Sequence, residues 1–235
     1  MKVCVINFSG NVGKTTVAAN MLMPRMGAKL FSVESLNQDA AGDGVEVKRI
    51  RAQRFRELQN ELLASDAAVV DVGASNVEMF LEMMSQFEDS HAYFDYFVVP
   101  TVKERKQSTD TINTIRALRE LGVEVERIKV VFNRVDRKEV LSEEFQALFG
   151  AAADGLVTLN REAIIVKNEV FELIKDYDMS LAEVIADPTD HRDELRRETT
   201  DDGKAIRINR LAIKQLSKSC ARNMDEAYAA LFDPV

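Results

Sequence analysis

A chain of 235 residues with 46% apolar and 30% charged side chains is long enough to bury about 70–75% of its unfolded surface without disulfides or metals. Its two cysteines, Cys4 and Cys220, form neither a C-x-x-C nor a metal-type spacing and point to core thiols in a reducing compartment. A net charge of −8 excludes a surface coated in nucleic-acid contacts, though it leaves room for a local basic stripe.

The opening run MKVCVINF is too brief for a signal-peptide core or a membrane span, so a cytoplasmic location is expected. Strand-like runs then follow in chain order: KVCVINF, LFSVE, DAAVVDV, DYFVVPT, RIKVVFN and GLVTLN, with helix-period segments between several of them. Continuous rather than alternating apolar runs are what strands covered on both faces require. The expectation is therefore a doubly wound α/β domain, with a mostly parallel β-sheet and helices on both faces. One domain, 1–235, is expected. Its parts are a nucleotide-binding core (1–185), a charged mobile connection (186–204) and an amphipathic C-terminal helix (205–235).

Between the first strand and the helical pattern TTVAANMLMPRM stands GNVGKTT, the setting of a phosphate-binding loop. Backbone N–H groups of Gly10, Asn11, Val12, Gly13, Lys14, Thr15 and Thr16 are expected to face phosphates at the positive end of the helix. Lys14 is then placed at the β and γ phosphates, and the Thr15 hydroxyl at one Mg²⁺ position.

The stretch SGNVGKTT resembles the deviant loop K-G-G-x-G-K-T-T of the ParA/MinD family of partition and positioning ATPases, a SIMIBI-like P-loop NTPase group. Within it, the StbB/TraL-like proteins of plasmid stability and conjugation are the nearest resemblance. The resemblance implies ATP and Mg²⁺ as ligands and a nucleotide-dependent homodimer with a DNA-binding adaptor protein as partner. It also makes Asp71, ending the strand in AAVVDVGAS, the Walker B metal aspartate, followed by Gly73 of the second switch. In VVFNRVD it gives Asn133 a contact with the base edge.

Two departures matter. The lysine that crosses the family's dimer stands at Ser9 here, and the water-activating second aspartate falls at Leu36, with the first replaced by Glu34. A trans cation in phosphoryl transfer is worth roughly 10³–10⁵ in rate, so slow hydrolysis is expected. Glu34, Asp39 and Asp43 are the candidates for orienting water, alongside Lys14 and Asp71 as catalytic groups.

In the C-terminal helix, Arg207, Arg210, Lys214, Lys218 and Arg222 gather within about 120° of one another at 100° per residue. Ile206, Ile213, Leu216, Cys220, Met224, Ala227 and Leu231 form the opposing apolar face. The basic stripe is either a solvated face or a non-specific DNA contact; membrane attachment is disfavoured because bulky anchors are few. The leading expectation is a ParA-like ATPase acting as a switch in plasmid stability, DNA positioning or conjugation. The alternatives are a GTPase that uses NRVD for guanine, with Arg134 in the lysine position and Asp136 on the base, and a non-hydrolysing nucleotide-binding scaffold.

Overall fold

The computed structural model describes residues 1–34, 47–175 and 179–233. Seven strands among them form one parallel sheet: β1 (Lys2–Val5), β2 (Lys29–Val33), β3 (Val47–Ile50), β4 (Ala68–Val72), β5 (Tyr96–Thr101), β6 (Ile128–Val135) and β7 (Ile164–Val166). Their order is β3-β2-β4-β1-β5-β6-β7. The chain leaves β1 toward β2 on one side and later returns to β5 on the other. The crevice beyond the carboxyl end of β1 is therefore a topological switch point, where open α/β sheets bind ligands.

The Val, Ile and Phe runs that mark the strands are buried on both faces, as the doubly wound class requires. One face carries Phe31, Phe55, Phe80, Phe97 and Phe132 under the helices Phe55–Leu63, Val77–Gln86, Arg105–Glu120 and Gln146–Ala153. The other carries Val3, Val5, Val69 and Val131. It lies under the helical segment from Lys14 to Met26, π-helical over Val17–Leu22, and under the terminal helix Asp201–Phe232.

Three expectations are corrected. GLVTLN is not a strand: Gly155 takes a left-handed φ of 78° after the Gln146–Ala153 helix, and Leu156, Val157 and Leu159 pack on the core without a ladder partner. The strand comes later, at Ile164–Val166. β3 escapes an apolar-run search because Lys48 and Arg49 are exposed on this edge strand, so the Asp71 strand is fourth rather than third in the chain. The charged stretch 186–204 holds a helix, His191–Arg197, capped by the Asp190 carboxylate, and the terminal helix already begins at Asp201.

Candidate nucleotide site

The phosphate loop leaves β1 through a buried asparagine. Asn7 donates its amide to the Pro100 carbonyl (2.9 Å) and the Thr111 hydroxyl (2.8 Å), and its side-chain oxygen accepts the Ser9 N–H (2.8 Å). Phe8 N–H donates to the Thr114 hydroxyl at 3.0 Å. Ser108, Thr111 and Thr114 make a buried polar row on the Arg105–Glu120 helix, and two of them fix the approach to the loop. These positions were missed in the sequence; the small polar residues at helical spacing in KQSTDTINT were the available signal.

Within the loop the backbone turns left-handed at Asn11 (φ 58°) and Gly13 (φ 86°). Glycine at 13 is required twice over, since a Cβ there would stand 2.2 Å from the Asn133 amide nitrogen. At Gly10 a Cβ would meet nothing within 4 Å.

Lys14 is buried, and its ammonium donates to the carbonyls of Asn7 (3.1 Å) and Ser9 (2.6 Å). Burial lowers its pKa to about 8, opposed in part by the Asp71 carboxylate. Asp71, 4% exposed, accepts the Thr15 hydroxyl on Oδ2 at 2.6 Å, while its Oδ1 is buried without a hydrogen-bond partner among the described residues. Burial raises Asp71 to about 6; the Thr15 hydroxyl and Lys14 pull it down and Glu34 pushes it further up. The structure therefore brings Lys14, Thr15, Asp71 and Glu34 together. Gly73 follows with its N–H on the Val33 carbonyl (3.0 Å), where a Cβ would crowd that oxygen at 3.2 Å. Leu36, Asp39 and Asp43 lie outside the described residues.

Asn133, 5% exposed, donates its amide to the Val12 carbonyl (2.9 Å) and accepts the Arg134 N–H (2.9 Å), which ties the end of β6 to the loop. Ser9 is 4% exposed.

The basic stripe is divided. Arg207 pairs with Glu194 (2.5 Å), Lys214 donates to the carbonyls of Asp187 (2.6 Å) and Thr189 (2.8 Å), and Arg210 lies against Met179. Lys218 and Arg222 are exposed. The stripe is thus not one solvated face, because the 179–194 segment folds over its first half. On the apolar side Ile213, Cys220, Met224, Ala227 and Leu231 are buried, but Ile206 is 53% exposed.

No protein-family model matches the sequence, and no curated protein matches it. Solved structures do match. A ParA family ATPase from Chlorobium tepidum aligns at 14% identity and TM-score 0.56, over 99% of this chain and 98% of that one. The MinD cell division protein of Aquifex aeolicus aligns at 13% and 0.53 (92% and 96%), and the Pyrococcus furiosus cell division ATPase MinD at 16% and 0.52 (92% and 98%). The fold of this chain is the ParA/MinD-type P-loop NTPase fold. No helix among the described residues is long and apolar enough to cross a membrane.

Proposed function

We propose that the chain is a ParA-like ATP-binding protein and slow ATPase that acts as a nucleotide-dependent switch in plasmid stability, DNA positioning or conjugation. The observation that carries this reading is the Thr15 hydroxyl on Asp71 at 2.6 Å, with the second oxygen of Asp71 buried and unpartnered beside it. A buried carboxylate oxygen left without a donor is costly, and a cation held at Thr15 and Asp71 would satisfy it. The residues present therefore fit Mg²⁺. When bound, Mg²⁺ would neutralise charge on the β and γ phosphates.

The remaining roles belong to the chain itself. Lys14 already lies against the loop, with two carbonyls as its acceptors; phosphate oxygens would replace them, with charge-assisted bonds of about 1.5–3 kcal/mol. Gly10, where the chain itself sets no requirement for glycine, leaves the backbone free to approach a phosphate. Glu34 stands beside Asp71 as the described candidate for orienting water. Asn133 lies at the base end of the loop. Dimerisation, a DNA-binding adaptor and the plasmid role rest on the resemblance of the loop to ParA/MinD and StbB/TraL-like proteins.

Lys14→Ala should abolish ATP binding measured by calorimetry; wild-type affinity in that variant would remove the P-loop reading. A second reading, a nucleotide-binding scaffold without hydrolysis, draws on the burial of Ser9, which offers no cation across a dimer. Phosphate release measured with and without DNA separates the two.

A further inference from the structure

One residue at the rim of the site has a backbone that nothing in the loop chemistry accounts for. Arg134 has φ 56°, a left-handed conformation that non-glycine residues adopt uncommonly and that concentrates at functional sites. The ladder between β6 and β7 explains how it is held. Asn133 pairs with Ile165 and Val135 with Val166, so Arg134 is an extra residue bulged out of the register. Bulges beside active sites re-aim a side chain. Asn133 Oδ1 accepts the Arg134 N–H at 2.9 Å while the same amide holds the Val12 carbonyl, so the bulge is keyed to the phosphate loop. The Arg134 side chain is exposed and makes no ion pair among the described residues.

The sheet order says which part of a ligand Arg134 can meet. The phosphate and cation end is marked by Thr15 and Asp71 over β4, and β6 lies three strands away, across β1 and β5. That is about 14 Å at the usual strand spacing. A nucleotide anchored by its phosphates at the loop and extending toward Asn133 therefore brings its base, not its phosphates, to Arg134. A cavity of about 400 Å³ opens at this end, walled by Arg137, Val166, Lys167 and Asn168 and closed behind by the terminal helix. That size suits a ligand moiety. Asp136 is a poor reader of a base edge here, since its Oδ1 accepts the Lys138 N–H within its own turn (3.1 Å).

We propose that Arg134 lays its guanidinium plane against the purine ring of the bound nucleotide, gripping the base through its face rather than its edge. The inference rests on the P-loop reading above. A planar, weakly hydrated guanidinium stacks on aromatic faces, and every purine has such a face, so the grip is indifferent to adenine or guanine.

The test is calorimetry of ADP, GDP and inorganic tripolyphosphate binding to the wild type and to Arg134→Gly and Arg134→Asn, both of which tolerate the left-handed backbone. Both variants should lose about tenfold in affinity for ADP and for GDP, the scale of a desolvated cation–π contact. Tripolyphosphate affinity and the thermal midpoint should not fall. Nucleotide binding unchanged in both variants would make Arg134 a surface residue and overturn the proposal. An equal loss for tripolyphosphate would place the guanidinium on the phosphates, and a loss for only one of the two nucleotides would make it an edge reader; either result overturns it too. A wild type that binds neither ADP nor tripolyphosphate would remove the P-loop reading itself, and this inference with it.

Discussion

Asn7 and Asp71 show how single polar side chains govern the site from inside the protein. Asn7→Ala would leave the Pro100 carbonyl and the Ser9 N–H unpaired in a fully buried place. A loss of about 2–4 kcal/mol in stability is expected by urea denaturation, accompanied by weaker nucleotide binding because Lys14 is held through the Asn7 carbonyl. Asp71 makes a pH prediction. Its folded pKa of about 6 stands above the ordinary 3.8, so the folded state binds this proton more tightly than the unfolded one. The empty protein should therefore gain stability from this group as pH falls from about 7 to about 4, on the order of 3 kcal/mol. Asp71→Asn should flatten that window in denaturation midpoints. Mg²⁺-dependent nucleotide binding, which needs the carboxylate, should run the other way and weaken as pH falls through about 6.

At the scale of elements, the 186–204 stretch shows how capping converts a charged sequence into helix. Ser180 and Glu183 form a capping box before Leu181–Ala186, Asp190 caps His191–Arg197, and the Thr200 hydroxyl accepts the Gly203 N–H at the start of the terminal helix. Lys214 then fastens this region through two carbonyls; Lys214→Ala should cost about 1–3 kcal/mol in stability by denaturation. The same packing changes the DNA expectation. Five free cations would give a slope of log affinity against log salt near −4.5, but the two exposed ones, Lys218 and Arg222, give about −1.8 per subunit. Gel shifts at two salt concentrations measure this slope, and replacing both by glutamine should abolish it; DNA binding that survives intact in that variant would take DNA contact away from this helix.

For the whole molecule, the switch reading requires that ATP change the assembly. Light scattering should show a dimer with Mg²⁺-ATP and a monomer with ADP, and Ser9→Lys should strengthen that dimer or raise phosphate release by restoring a cation where relatives place one. Ser9 is buried at the foot of the loop, with its carbonyl on Lys14. A lysine there must run outward from an enclosed site, so a thermal midpoint that falls without any gain in dimer or turnover would show that the loop has been rebuilt around serine.

The sequence by itself determined the parallel α/β class and the phosphate loop, because continuous apolar runs and G-x-x-G-K-T-T after a strand are local signals that survive without tertiary context. It also marked Asp71, whose partner Thr15 lies 56 residues away, but only position relative to the loop made that legible. Tertiary structure alone decided the rest. The edge strand β3 is hidden by exposed charges, and GLVTLN, apolar enough for a strand, is buried without a neighbour to pair with. Asn7 becomes a site residue only because Pro100 and Thr111 arrive beside it from 93 and 104 residues further along. Helical periodicity gathered the five cations on one face; packing of a segment distant in sequence settled which of them meets solvent.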